Sequence, residues 1–98
     1  MVVVVNVLQF KEPVDRALFE RAEVDLGTAM RSIDGFGGFQ VVHTGVSEVV
    51  LLIFGDTVET LDRIASEVGS PWMLANVVPL LAAPPARHIG PVIASATG

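Results

Sequence analysis

The chain has 98 residues, 51% of them hydrophobic and 17% charged, and six Lys and Arg against eleven Asp and Glu give a net charge of −5. This length fits one domain, and an acidic chain with no basic block is not expected to bind nucleic acid or an anionic membrane surface. The absence of Cys excludes disulfides, thiolate nucleophiles and Cys-ligated metals. So much apolar surface on a small domain favours an oligomer or an apolar pocket.

The N-terminal residues are apolar but lack the pattern of an export signal. The run at residues 1–5 has no basic region beside it, and Asn6, Gln9 and Lys11 interrupt it far short of the apolar core of a signal peptide. No apolar run approaches the ~18 residues of a membrane span. The sequence therefore predicts a cytoplasmic protein, folded as a single domain over residues 1–98.

A strand and an amphipathic helix open the chain. Residues 2–10 predict the first strand, with apolar residues on both faces and Asn6 midway along one of them. Pro13 then suits the first turn of a helix. From Val14 the apolar period changes to three or four residues, which predicts a helix of about 18 residues. Gly27 is unfavourable within a helix and suggests a close approach to the sheet.

A glycine-rich turn and a hairpin come next. The turn at residues 34–38 leads into a second predicted strand at residues 39–44, and Gly45 is expected to supply a positive φ in the turn to a third strand at residues 48–54. Within that third strand, residues 49–54 are all apolar, so both of its faces need cover.

The last third of the chain continues with helices and a strand. Asp56 is placed to cap a second helix, which Gly69 is expected to end, and Ser70 is placed to cap a short third helix. Residues 87–94 predict a last strand. Because Pro91 cannot donate a hydrogen bond, this strand is expected at an edge of the sheet or to carry a bulge.

The order of elements, β-α-β-β-α-β, predicts an α+β ferredoxin-like fold, with a four-stranded antiparallel sheet and both helices on one of its faces. The other face is left open, and in this chain it is apolar. Burial against a second copy is the simplest cover, and two-fold dimers are the commonest oligomers. The sequence therefore predicts a homodimer through the open sheet face, which makes a dimeric α/β barrel.

Four features then point to a known family: a first strand with a polar residue inside it, a glycine-rich turn from helix to strand, a hairpin followed by an Asp-capped helix, and a Trp-bearing segment. They occupy residues 4–7, 33–40, 44–56 and 72–76. In these features, and over nearly its whole length, the chain resembles the antibiotic biosynthesis monooxygenase-like family of the dimeric α/β-barrel superfamily.

The resemblance implies a dimer with one pocket per subunit, between the sheet and the helices. It also implies oxidation of small electron-rich aromatic substrates by O2 without flavin or metal, so no cofactor is expected. Haem-degrading relatives need an Asn, a Trp on the second helix and a His ligand. Asn6 matches the first of these, but Ile64 aligns near the Trp position and no His aligns near the ligand position, which argues against haem degradation.

Asn6, Trp72 and Asn76 are candidate ligand contacts. A buried amide without a partner costs about 1–3 kcal/mol, so Asn6 is either satisfied within the sheet or a hydrogen-bonding group in a pocket. The resemblance implies the second role, because Asn6 matches the Asn with which family enzymes hold substrate or activated oxygen. Trp72 is either core or interface packing or a wall that stacks on a planar ligand. Asn76 either shares the face of Trp72, caps the helix or lies exposed at the surface.

His43 and Arg87 are the ionisable candidates. A strand His is able to act as a base near neutral pH, although a structural or exposed role for His43 is the alternative. Arg87 could stabilise a phenolate or form an ion pair at the rim. The walls of the expected pocket are Phe36, Met73 and Trp72.

Two classes of function stay open, since the sequence has no metal-ligand spacing, phosphate-binding loop or Ser/His/Asp set. In the first, the protein is a cofactor-independent monooxygenase of a phenol- or quinol-like aromatic. The substrate loses a proton to His43 or to water, Asn6 and Arg87 stabilise the anion, and the anion reacts with O2 in a dry pocket. In the second, it is a non-catalytic dimeric barrel that binds a small apolar or aromatic ligand or acts in stress, because fold does not fix function.

Overall fold

The protein alternates strands and helices in the predicted order. In the computed structural model, which describes residues 1–98, the strands are β1 (Val2–Gln9), β2 (Phe36–Gly45), β3 (Glu48–Gly55) and β4 (Ala86–Pro91). The helices are α1 (Arg16–Glu20), α2 (Ala22–Arg31), α3 (Val58–Ile64) and α4 (Ser70–Asn76), with a 3-10 turn at Val78–Leu80. The four-stranded sheet is antiparallel with order β2-β3-β1-β4. The predicted α+β ferredoxin-like fold is confirmed.

The hydrophobic core lies between the helices and one side of the sheet. Burial alternates along β3, where Val49, Leu51, Ile53 and Gly55 are buried and the residues between them are half-buried. Val4 and Leu8 of β1 are buried on the same side. The core divides into two clusters, and Trp72 and Met73 of α4 pack against both of them. Side-chain alternation in the strands therefore produces a single inner face, as the sequence pattern predicts.

The opposite side of the sheet has no cover within the chain. Three cross-strand pairs of β1 and β3 occupy its middle, and all six side chains are half-buried. These pairs, which we call the open face, are Val3 with Phe54, Val5 with Leu52, and Val7 with Val50. Gln40 of β2 and His88 of β4 flank the pair Val5–Leu52 in the same row. The apolar run at residues 49–54 thus has one side under the helices and one without cover.

The predicted first helix begins later and is divided in two. The Asp15 carboxylate caps it by accepting a hydrogen bond from the Ala17 amide at 3.1 Å, which satisfies a free N–H of the first turn. Pro13 lies two residues before this N-cap, and so outside the first turn in which it was expected. The division falls at Arg21, between α1 and α2.

The second and third predicted helices are joined. Gly69 and Ser70 have φ of −67° and −63°, so neither acts as a helix end, and a π-helical segment at Ala65–Gly69 connects α3 to α4. Pro71 has no N–H to donate to the carbonyl four residues before it. The helix continues past this position because the π-helical segment before it has a wider turn, which does not need that hydrogen bond. At the start of α3 the N-cap is Thr57, not Asp56. No helix of the chain has the length and apolarity needed to cross a bilayer.

Glycines with positive φ are found at the entry to β2 and not in the hairpin between β2 and β3. Gly35 and Gly38 have φ of 89° and 123°, and a bulge between Phe36 and Gly38 lets the strand begin before the predicted residue 39. Gly45 does not have a positive φ, so the prediction for it is wrong. Instead, the pairing of β2 with β3 shifts by one residue between His43 and Gly45, next to the hairpin turn.

Candidate functional site

A cavity of about 390 Å³ lies between the sheet and the joined helices α3 and α4. We call it the Asn6 cavity. Its floor comes from β1, β3 and β4, and most of its wall is apolar. The lining residues are Val4, Asn6, Leu51, Ile53, Leu61, Ala65, Gly69, Ser70, Met73, Leu74, Val78, Pro85 and Arg87.

Asn6 lies on the floor of this cavity because of strand alternation. It shares the inner side of β1 with Val4 and Leu8, and its register partners are Leu51 on β3 and Arg87 on β4. The Asn6 side chain is half-buried. None of the side-chain hydrogen bonds in the structure involves its carboxamide, which leaves both of its polar atoms for a ligand.

Arg87 is the one ionisable residue in the lining of the Asn6 cavity. Its guanidinium forms an ion pair with Asp62 of α3, with 3.6 Å between Nη2 and Oδ1. The two side chains are 42% and 65% exposed, and exposed pairs contribute about 0–1 kcal/mol. The guanidinium therefore gives up this partner at little cost when an anion enters the cavity.

Trp72 and Asn76 lie outside the lining. The Trp72 ring contacts Phe19 of α1, with centroids 6.3 Å apart at 60°, and packs against both core clusters. The Asn76 amide Nδ2 donates to the Trp72 carbonyl oxygen at 3.0 Å. Of the alternatives open from the sequence, the structure places Trp72 in packing and Asn76 in a bond to its own helix.

His43 and Phe36 line a different cavity, which we call the α2–β2 groove. This groove of about 510 Å³ runs between α1 and α2 on one side and the edge strand β2 on the other. His43 is exposed and pairs in register with Val49, near the hairpin end of the strand. Among the expected site residues, the structure therefore brings together only Asn6, Met73 and Arg87.

Apart from Met73, the residues of the α3–α4 wall were not predicted from the sequence. Ala65, Gly69 and Met73 follow at intervals of four residues, a helical spacing that places them on one side. The signal was present in the sequence, but Gly69 and Ser70 resemble a helix end and a helix start. No group of three His, Asp or Glu side chains in the structure is arranged to hold a metal ion.

Comparisons with known proteins agree on the fold. No family model matches the sequence, and no curated protein matches it. Solved structures do match. One is the Streptomyces coelicolor monooxygenase ActVA-Orf6 in complex with the ligand nanaomycin D, which is 16% identical with a TM-score of 0.75. The match covers 99% of this chain and 91% of the ActVA-Orf6 chain. A mutant of SnoaB, a cofactor-independent oxygenase from Streptomyces nogalater, has 14% identity and a TM-score of 0.73, with 96% and 94% covered.

A third match is Rv0793 from Mycobacterium tuberculosis, at 24% identity and a TM-score of 0.69, with 98% of each chain covered. The chain therefore has the fold of antibiotic biosynthesis monooxygenase-like proteins over nearly its whole length.

Proposed function

We propose that the protein is a cofactor-independent monooxygenase that oxidises a small phenol- or quinol-like aromatic with O2 in the Asn6 cavity. The observation that carries the proposal is the register pair of Asn6 and Arg87 on the floor of a cavity that is otherwise mainly apolar. The shared fold with SnoaB and ActVA-Orf6, both described as oxygenases, supports it.

Arg87 and Asn6 have distinct roles in this proposal. The guanidinium of Arg87 stabilises the negative oxygen of the deprotonated substrate, an interaction that an apolar surrounding strengthens. The Asn6 amide donates a hydrogen bond to the substrate or to the bound oxygen. Met73 packs against the aromatic ring and excludes water from the floor.

The chemistry balances with O2 as the only co-reactant. A CH2 carbon activated by a phenol or ketone, as in an anthrone, loses one proton to give a delocalised anion. This anion adds to O2 and takes up a proton, which forms a carbon–oxygen bond and a hydroperoxide. The hydroperoxide then loses water, so that one oxygen atom stays as a carbonyl and the other leaves with two hydrogens.

The first proton goes to water in this scheme. His43 lines the α2–β2 groove and not the Asn6 cavity, so it is not placed to receive it. The guanidinium of Arg87 has hydrogen-bond donors and no acceptor, so it does not serve as the base. Substrates whose acidic group is largely ionised at neutral pH are therefore expected to react faster than those with a more basic anion.

We also propose a homodimer through the open face. Its six central side chains are half-buried Val, Leu and Phe in a chain that offers no further element to cover them. At the hairpin end this side of the sheet turns polar, where Glu48 accepts hydrogen bonds from Gln9 at 2.7 Å and Thr44 at 2.8 Å. An apolar centre with a polar margin is the composition of a stable protein interface.

A non-catalytic role is the second candidate. Arg87 is the one ionisable side chain that lines the Asn6 cavity, so the chain supplies no proton acceptor beside the substrate. A protein that binds a small aromatic ligand without turnover needs none. Native mass spectrometry of freshly purified protein separates the two, because a retained ligand that stays unchanged in air favours binding alone.

Oxygen uptake tests the enzymatic proposal directly. The purified protein, free of metal and flavin, is given a panel of anthrones and hydroquinones, and we expect uptake above the blank with at least one of them. Arg63→Gln is the matched control for Arg87→Gln, because Arg63 also forms an exposed ion pair, with Glu67, but does not line the cavity. No uptake across the panel contradicts the monooxygenase proposal.

A further inference from the structure

The α2–β2 groove is a second cavity on the same side of the sheet, and it shares no residue with the Asn6 cavity. Both cavities border β3, but the groove extends over β2 and the Asn6 cavity over β1 and β4. The groove is also the larger of the two. The proposed oxygenase chemistry assigns it no role.

One end of the groove is aromatic. Phe36 and Phe39 of β2 both line it, and both side chains are half-buried. Because the chain reverses between α2 and β2, the last turn of α2 lies beside the start of β2. The aromatic pair therefore lies next to Arg31, the last residue of that helix.

Arg31 has no carboxylate within ion-pair distance. Three other Arg residues do have such a partner: Arg16, Arg63 and Arg87. Its guanidinium lies over Gly27, where an added Cβ would be 3.3 Å from Nη1. The close approach expected at Gly27 is thus to Arg31 and not to the sheet. Gly is less favourable than Ala within a helix, and here it leaves room for the guanidinium against the wall of the groove.

The groove also has two acidic residues, neither of which is within ion-pair distance of Arg31. Glu20 belongs to α1 and pairs with Arg16 at 4.0 Å, and Glu23 lies one turn before Gly27. The arrangement thus combines an unpaired planar cation, aromatic side chains and a cavity large enough for a fused ring system. Guanidinium groups bind carboxylates through two parallel hydrogen bonds, and aromatic walls bind planar rings.

We propose that the α2–β2 groove is a binding site for a planar aromatic carboxylate, with the carboxylate on Arg31 and the ring against Phe36 and Phe39. The site is independent of the proposed oxygenase activity. Gly27 is a positioning residue for it, because a side chain there would displace the guanidinium of Arg31.

Titration with 2-naphthoate, followed by amide chemical shifts in NMR, tests the site. We expect shifts at Gly27, Gly38 and Val41, and binding at least tenfold tighter than that of the neutral isostere 2-naphthamide. Arg31→Gln is expected to weaken 2-naphthoate at least tenfold and to leave 2-naphthamide unchanged. The matched control Arg63→Gln is expected to bind 2-naphthoate as the unmodified protein does.

Three results overturn the proposal: no binding of 2-naphthoate at millimolar concentration, equal affinity for the acid and the amide, or shifts confined to Asn6, Gly69 and Met73. The comparison of acid with amide uses the unmodified protein, so it holds whether or not the Arg31 variant folds. Because the readout is binding at named amides, failure here is distinct from an absence of oxygen uptake.

Discussion

Asn6 and Arg87 are direct cross-strand partners, the first at the centre of the sheet on β1 and the second on the edge strand β4. Side chains opposite each other in antiparallel strands start about 4.5–5.5 Å apart, so one small anion is within reach of both. This pair places an amide and a cation together on the inner side of the sheet, and it is the centre of the proposed reaction.

A double-mutant cycle tests whether the pair acts as a unit. We expect Asn6→Ala and Arg87→Gln each to lower kcat/KM for the best substrate by on the order of 10²-fold, as loss of one oxyanion donor does. The double variant is expected to lose less than the product of the two effects, since both groups hold the same anion. Fully multiplicative losses in steady-state kinetics argue that the two side chains act separately.

Leu52→Asp is expected to break the dimer. Leu52 is half-buried on the open face, and a carboxylate there would lose its hydration in the proposed interface with only the neutral amide of Gln40 directly opposite it. Light scattering should show monomers or aggregates for this variant and the proposed dimer for the unmodified protein. The matched control is Leu51→Ala: Leu51 is buried under the helices, so it should lower stability by about 2–5 kcal/mol and leave the dimer intact. A soluble Leu52→Asp dimer contradicts the proposed interface.

Acid is expected to remove a stabilising contribution of Asp56. The Thr60 hydroxyl donates a hydrogen bond to the Asp56 carboxylate, and this lowers the pKa of that carboxyl below its ordinary value, with desolvation opposing it. A depressed pKa stabilises the fold above the unfolded value near 3.9 and ceases to do so as pH falls through the folded value.

The measurement is the urea midpoint of the unmodified protein and of Asp56→Asn. We expect a larger difference between them at pH 6 than at pH 3. Thr60→Val removes the donor and is expected to reduce the pH dependence of that difference. Equal differences at both pH values in the unmodified background contradict the assignment.

Gly35→Ala is expected to destabilise the protein more than Gly38→Ala. Both positions have positive φ, which costs a residue with a Cβ about 1–3 kcal/mol. At Gly35 the added Cβ also collides with the carboxylate of Asp56. Asp56 is held beside Gly35 because its backbone amide donates to the Gly35 carbonyl oxygen at 3.0 Å. At Gly38 the added Cβ meets open space. Thermal unfolding of the two variants checks the order, and a smaller effect at Gly35 shows that Asp56 moves away freely.

The strands could be predicted from the sequence because side-chain alternation alone decides which residues share a face. The structure brings two of the expected site residues, Asn6 and Arg87, together on the inner side. Side-chain alternation alone could not predict that His43 lies far from Asn6, because this distance depends on the order of the strands in the sheet. The inner row through Asn6 runs Val41, Leu51, Asn6 and Arg87, so β2 lies two strands away from β1, roughly 10 Å at ordinary strand spacing.

Helix ends were harder to predict because local preference competed with packing. Gly69, Ser70 and Pro71 form a strong local signal for one helix ending and another beginning. In the structure the helix continues through them, because Ile64, Met73 and Val77 all pack onto the core from one continuous run. The wall of the Asn6 cavity depends on that continuity, so the four-residue spacing of its lining has meaning only once the two helices are known to be joined.

The π-helical segment at Ala65–Gly69 sets the rotational phase of everything that follows it. Each residue of an α-helix turns the chain by about 100°, so losing one residue here would rotate α4 by that angle relative to α3. The contact of Trp72 with Phe19 and the contact of Met73 with the cavity could not then both be kept. A one-residue difference in the length of this segment is therefore enough to exchange which side chain faces the ligand and which faces the core.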